Sequence, residues 1–346
     1  MKTPIPIKTA FLMLLLALAV QAEQDTVPRS WKSGATTATL SHDGTLTVSG
    51  NGAMDNYSRM HSSRWWKRSL ESITGVVIEP GITHIGDFAF RGCVNLTSVT
   101  IPESVVSIGE SAFEETGLTH ITIPNSVTHI GESAFVGARR LTSVTIPSGM
   151  TIIGRDAFRS CSGLTSVTIP NSVTFIGRRA FSGTGLTSVT IPRGITEIDD
   201  ATFSETALTS VTIPDNITRI GNMAFWTCTS LTSVTIPKSV TEIGWYAFGD
   251  CKNLTSITIR NPKPPMVDHE PFMGMNMDNA CLYVPVGSVK AYRAAEEWEI
   301  FTCVEQIVPY KMIAFAIILT GLIISAAVFI VIKISRKQLA GGRLRP

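Results

Sequence analysis

The sequence predicts a β-rich solenoid, with coils of 22–23 residues stacked on a parallel β ladder, a cap at each end, and one carboxy-terminal transmembrane helix. Three observations carry that prediction. The heptapeptide LTSVTIP stands at 141–147, 164–170, 186–192, 208–214 and 231–237, and near-copies begin at Leu96, Leu118 and Leu254. The Ile that closes each VTI recurs at Ile78, Ile101, Ile123, Ile146, Ile169, Ile191, Ile213, Ile236 and Ile259, in steps of 22 or 23 residues. A period of that size marks one turn of chain that can bury its apolar side only against its neighbours. Third, residues 312–332 (MIAFAIILTGLIISAAVFIVI) carry no charge, and as a helix rising about 1.5 Å per residue they span the roughly 30 Å of a bilayer core.

In chain order, residues 1–22 begin with Lys2 and Lys8, run through AFLMLLLALAV and close on VQA, which reads as a secretory signal peptide. Residues 23–75 form the amino-terminal cap, 76–260 the solenoid, 261–308 a last-coil loop with the carboxy-terminal cap, 312–332 the membrane helix and 333–346 a basic tail. That tail holds Lys333, Arg336, Lys337, Arg343 and Arg345 and no acid, which by the positive-inside rule keeps it in the cytoplasm and leaves residues 23–311 outside. The net charge is +2; without the two signal lysines and the five tail cations, residues 23–332 stand at −5. A mildly acidic exported part does not suit nucleic acid, whose binding rests on neutralising phosphates.

The unit Leu164 to Gly185, LTSVTIPNSVTFIGRRAFSGTG, explains the coil. Leu-x-x-Val-x-Ile is a leucine-rich-repeat strand signature in which alternation sends Val167 and Ile169 inward and Ser166 and Thr168 outward. Pro170 lacks the N–H to extend the ladder and ends the strand. Gly177 recurs as Gly86, Gly109, Gly131, Gly154, Gly221 and Gly244, with Asp199 as the exception, which predicts a corner of positive φ. The AF motif that follows predicts a buried stack of Phe90, Phe113, Phe135, Phe158, Phe181, Phe203, Phe225 and Phe248. Three residues after each Phe come Cys93, Thr116, Ala138, Cys161, Thr184, Thr206, Cys228 and Cys251, a column whose common property is small size, so its cysteines read as space-fillers. Cys93 and Cys161 lie three coils apart, roughly 14 Å at about 4.8 Å per step, too far to bond. Disulfides remain open to Cys228–Cys251 and to Cys281–Cys303 in an oxidising compartment.

These residues resemble the BspA-like leucine-rich-repeat family of bacterial surface proteins, whose LTSVTIPxSVTxIGxxAFxxC pattern Leu231–Cys251 follows almost letter for letter. DGTLTVSGNGAMDNY with WWKRSLESITGVVIEPGITHIGDFAF looks like the amino-terminal cap of that family. CLYVPVGSVKAYRAAEEWEIF at 281–301 looks like its carboxy-terminal cap, a last strand followed by a short amphipathic helix. The resemblance implies attachment to host proteins or to other bacteria.

No hydrolase, zincin, nucleotide-binding or Cys-x-x-Cys motif occurs, so neither enzymatic activity nor a cofactor is expected. Asp268, His269 and Glu270 are neighbours in a Pro-rich loop and read as solvated, not as a metal site. His84 and His129 share a column with Ser, Phe, Glu and Arg and read as surface variation. A binding site would be written in what varies on the constant frame. The residue after the corner Gly runs Asp87, Glu110, Glu132, Arg155, Arg178, Asp200, Asn222, Trp245, changing sign in the middle. Arg155 and Arg178 should stack about 5 Å apart near Arg179, with Arg139, Arg140 and Arg159 in the neighbourhood, a repelling array suited to an acidic glycan or a carboxylate-rich protein. Trp226, Trp245 and Tyr246 form a second candidate contact surface. The alternative function is an envelope scaffold that organises other membrane proteins, pairing through Gly321 and Ser325.

Overall fold

The structure, a computed structural model, describes residues 29–58 and 67–307; the expected signal peptide at 1–22, the apolar run at 312–332 and the tail at 333–346 fall outside the described residues. Among the described residues no helix is long and apolar enough to cross a membrane.

Each coil has three sides. The first is the VTI strand, paired in parallel and in register with its neighbours, as in Ser233–Ile236 against Ser256–Ile259. The second is a two-residue strand ending on an inward Ile, such as His129–Ile130 beside Ser107–Ile108. The third is the turn carrying the AF motif, whose backbone also bonds from coil to coil: Phe113 N–H to Ala134 O at 2.8 Å, Phe135 N–H to Ala157 O at 2.9 Å, Phe158 N–H to Ala180 O at 2.9 Å. All three sides therefore satisfy main-chain groups against the next coil, and the side chains that alternate inward meet along one axis.

Along that axis the expected Phe stack is present and one ring longer than the sequence reading had it. Phe272 follows Phe248, and successive centroids are 5.2–5.9 Å apart with planes within 22°. Phe203 keeps its place because Ala201-Thr202-Phe203 aligns with Arg179-Ala180-Phe181 without displacement; Thr202 takes the Ala position and donates its hydroxyl to Asp199 O at 2.8 Å.

The glycine column corrects the sequence reading. None of Gly86, Gly109, Gly131, Gly154, Gly177, Gly221 or Gly244 has positive φ. What they supply is close approach: a Cβ on Gly131 would lie 2.5 Å from Glu110 N, and one on Gly244 2.6 Å from Asn222 N. Positive φ appears two residues later, at Phe88, Ser111, Ser133, Asp156, Arg179, Ala201, Met223, Tyr246 and Glu270, between 50° and 59°. Those residues turn their N–H toward the next coil, Ser111 to Glu132 O at 2.9 Å and Arg179 to Asp200 O at 3.0 Å, which offsets the strain. The second-side ladder is interrupted twice, between His129–Ile130 and Ile152–Ile153, where the column keeps glycine, and between Phe175–Ile176 and Glu197–Ile198, where Asp199 replaces it.

The small-residue column also does more than fill space. Thr116, Thr184 and Thr206 occur in the three coils whose Phe-to-Leu turn is one residue shorter, and each hydroxyl donates to the Phe carbonyl of its own coil at 2.8–2.9 Å. In the longer turns Cys161, Cys228 and Cys251 donate their thiols to the Phe carbonyl one coil back at 3.1–3.2 Å. The Cys228–Cys251 disulfide that the sequence left open is absent: both are free, buried thiols engaged with main-chain carbonyls. Cys281–Cys303 is bonded, at 2.06 Å.

At the amino-terminal end, β1 (Arg29–Ser33), β2 (Thr36–Leu40) and β3 (Thr45–Gly50) form an antiparallel meander whose last strand pairs in parallel with Gly75–Ile78. At the other end Tyr292, Trp298 and Phe301 are buried, and Trp298 and Phe301 stand 5.4 and 5.2 Å from Phe272, over the last ring of the stack. The short helix Val289–Arg293 is not the final element. A further strand, Cys303–Gln306, pairs in parallel with Cys281–Val284, and the disulfide joins the first residues of the two.

Candidate functional site

The corner where the second side meets the turn side carries the column whose charge changes from coil to coil. Because its floor is the side-chain-free glycine column, the corner is a groove. Near the amino-terminal end it holds about 650 Å³ lined by His84, Asp87, Glu110 and His129; near the other end it holds about 300 Å³ lined by Arg219, Asn222, Glu242 and Asp268.

In the middle coils the groove is basic, and the structure brings together two of the three predicted arginines. Asp156, held at a φ of 55° with its side chain 8% exposed, receives Arg179 Nε at 3.0 Å and Nη2 at 3.2 Å, Arg155 Nε at 3.1 Å, and Arg159 Nη1 at 3.8 Å. Arg178 points outward and makes no ion pair among the described residues. Arg139 and Arg140 are not part of this cluster; with Arg159 and Glu115 they line a separate depression of about 630 Å³ at the far end of the turn side. One carboxylate against Arg155, Arg159, Arg178 and Arg179 leaves the patch strongly positive. Asp156 was missed in the sequence, although a lone acid in a positive-φ position two residues after the corner glycine, flanked by Arg155 and Arg159, was the available signal.

Beside the arginines lie two exposed apolar residues, Ile152 at 46% and Phe175 at 39%, paired across adjacent coils. On the carboxy-terminal side Arg219 sits between Glu197 (3.7 Å), Glu242 (3.9 Å) and Asp200 (3.5 Å), so one guanidinium is shared by three carboxylates and that stretch is net acidic. On the amino-terminal side Glu110 and Glu132 are exposed and form no ion pair among the described residues. His84 has both ring nitrogens occupied, by Ser107 Oγ at 2.8 Å and Asn56 Oδ1 at 3.1 Å, in keeping with ordinary surface variation.

The predicted aromatic group is also assembled. Trp245, 41% exposed, lies edge-on to Tyr246 at 4.5 Å, and Gly249 makes the room between Tyr246 and Trp226, since a Cβ there would stand 2.7 Å from one ring and 3.2 Å from the other. Tyr246 is tied down by the loop that follows the last coil, its hydroxyl 3.3 Å from Glu270 Oε2 and 2.6 Å from Met273 Sδ. Desolvation, and then the Glu270 carboxylate, hold its phenol above the ordinary range. Trp245 is thus the open face of this group and Tyr246 its anchor.

Among the described residues the one trio with metal-ligand spacing is Cys281, Cys303 and Glu305, and the two sulfurs are bonded to each other. Asp268, His269 and Glu270 do not converge.

No curated protein sequence matches the chain. Among solved structures, a leucine-rich cell surface protein from Faecalibacterium prausnitzii is 26% identical over 82% of this chain and 96% of its own, with a TM-score of 0.47. A leucine-rich repeat protein from Bacteroides ovatus is 21% identical over 82% and 98%, with a TM-score of 0.33. The pneumococcal vaccine antigen PcpA is 14% identical over 82% and 99%, with a TM-score of 0.38. The pattern described as "BspA type Leucine rich repeat region" matches in six copies across residues 66–184 and 151–275. With more than half of its length in that pattern, the chain belongs to the BspA-type leucine-rich-repeat family.

Proposed function

We propose that the chain is an exported, membrane-anchored binding protein of adhesin type, whose solenoid presents the corner groove to a macromolecular partner and catalyses no reaction. The observation that carries this is the middle of the groove. Arg155, Arg159 and Arg179 converge on one nearly buried Asp156, while Arg178 stands free beside exposed Ile152 and Phe175. Four cations around one anion repel one another, and a carboxylate-rich protein or an acidic glycan relieves that repulsion. Fixed, mutually oriented guanidinium groups also lose little freedom on binding.

Binding of heparin, as a model acidic glycan, to the wild-type chain and to Arg155→Glu/Arg178→Glu tests the patch; equal binding by both removes it. Protease treatment of intact cells tests exposure. Digestion of the solenoid places it at the cell surface, and protection until the envelope is opened favours the scaffold alternative. A second reading rests on Trp245, whose exposed ring against Tyr246 suits stacking on a sugar or an aromatic side chain; Trp245→Ala separates it from the arginine site.

A further inference from the structure

The corner column is complementary to itself. Read along the coils, its exposed members are Glu110 and Glu132, then Arg155 and Arg178, each one coil from the next; Arg155 shares the single Asp156 carboxylate with Arg159 and Arg179, and the other three make no ion pair among the described residues. Like charges about 5 Å apart repel on both halves. A second copy turned end for end about a two-fold axis between Glu132 and Arg155 sets Glu132 against the other copy's Arg155 and Glu110 against its Arg178. The symmetry repeats both pairs, so four ion pairs form and both repulsions disappear together.

The flanks agree with that register. Phe175, 39% exposed, falls opposite Ser107 and its exposed neighbour Val106 (49%), and Ile152 falls opposite His129. The next residues outward, Asp87 and Asp200, meet as like charges at the rim, but both are engaged at home. Asp87 Oδ1 accepts the Glu110 N–H at 2.7 Å, and Asp200 Oδ1 accepts the Asn222 N–H at 2.9 Å and lies 3.5 Å from Arg219.

We infer that the carboxylate-rich partner of the arginine patch is a second copy of this chain, docked antiparallel through the corner groove. The inference rests on the binding role of Arg155 and Arg178 proposed above and names the ligand. Six coils at about 4.8 Å give an edge roughly 25–30 Å long, so a single contact is weak and salt-sensitive. An antiparallel pair has its carboxy termini at opposite ends, which for anchored chains is the arrangement of copies on facing membranes, where many weak contacts act together.

The test is sedimentation equilibrium of the detergent-solubilised full chain, from about 10 to 500 μM, in low salt and in about 0.5 M salt, where the screening length falls to a few ångströms. The expected result is a mass that rises toward twice that of the monomer in low salt and falls back in high salt. Glu132→Arg and Arg155→Glu should each weaken association about tenfold, and the double variant Glu132→Arg/Arg155→Glu should restore it to within about threefold, because the swapped charges face each other again. A chain that stays monomeric throughout, or a double variant no better than the singles, overturns the inference. Heparin binding by Arg155→Glu/Arg178→Glu is read in parallel. A monomeric wild type that binds heparin through these arginines loses the self-pairing and keeps the binding role; loss of neither association nor heparin binding on charge reversal removes both.

Discussion

Gly131→Ala tests whether the corner glycines are there for conformation or for space. An added Cβ lies 2.5 Å from Glu110 N and 2.6 Å from Gly109 C, so the coils must part by about 0.9 Å to reach an ordinary contact near 3.4 Å. The Gly131 N–H to Ile108 O bond, 2.8 Å long, does not survive that displacement, and the pairing of Ile130 with Ile108 weakens beside it. Overpacking of about 1–3 kcal/mol with a lost hydrogen bond of about 1 kcal/mol predicts a loss near 3 kcal/mol. Two other glycines isolate the alternatives. Gly92 has a φ of 76° and nothing within 4 Å, so Gly92→Ala carries only the left-handed penalty of about 1–2 kcal/mol. Gly149 has open space and no left-handed φ, and Gly149→Ala should be neutral or stabilise by about 0.4–1 kcal/mol. Urea midpoints followed by circular dichroism rank the three. The close-approach account fails if Gly131→Ala is no worse than Gly92→Ala.

Three further outcomes follow from the core and the thiols. Phe158→Ala removes a ring stacked at 5.3 and 5.5 Å and fully buried, and should cost about 3–5 kcal/mol, whereas Phe175→Ala, at 39% exposure, should cost far less; equal urea midpoints would falsify the spine. Burial pushes the Cys161 thiol up to about 12 from 9.0, so the folded state favours the neutral form. The resulting stability, on the order of 4 kcal/mol, is complete below pH 9 and is lost as pH rises toward about 12, a decline that Cys161→Ala should flatten. Reducing Cys281–Cys303, which closes a loop 22 residues long, should lower stability by about 3 kcal/mol, read as loss of protection from hydrogen exchange at Cys303–Gln306 before the central coils.

The repeat made the coil legible, because a period repeated so often identifies inward columns without any neighbour in sequence having to be known. Leu164, Val173, Ile176, Ala180 and Phe181 are all buried, as their spacing required. What a period cannot show is how near one coil lies to the next. Glycine satisfies both a positive φ and a close approach, and only the backbone angle of Gly131 and its distance to Glu110 N separate them. The thiol and hydroxyl bonds to the Phe carbonyls were hidden for a related reason: Cys and Thr look interchangeable in a column until the turn length is matched to each. At the site, Arg155, Arg178 and Arg179 were visible as a reversal of sign. The binding of Arg155 and Arg179 to Asp156 was not, because that acid occupies a column filled mostly by Ser, Ala, Met, Tyr and Phe, in which charge has no regular place.

Asp156 also decides how the arginine cluster is to be understood. A patch that exists only to hold the coils together would lose stability and nothing else when its central carboxylate is removed, while a patch built for an anion should gain affinity. Asp156→Asn keeps the shape and removes the charge that Arg155, Arg159 and Arg179 share at 3.0–3.8 Å. With the Asp156 side chain 8% exposed but its partners 28–52% exposed, solvent screens part of the loss, and the expected destabilisation is about 2–3 kcal/mol. The same variant adds one net positive charge at the centre of the groove, so its affinity for heparin should rise several-fold at low salt, with the gain shrinking as salt screens it. Stability and affinity moving in opposite directions is the signature of a site whose internal pairing is a compromise between holding the arginines and presenting them. A fall in both, with folding intact at the assay temperature, would show that Asp156 orients the guanidinium groups and that their geometry outweighs their charge.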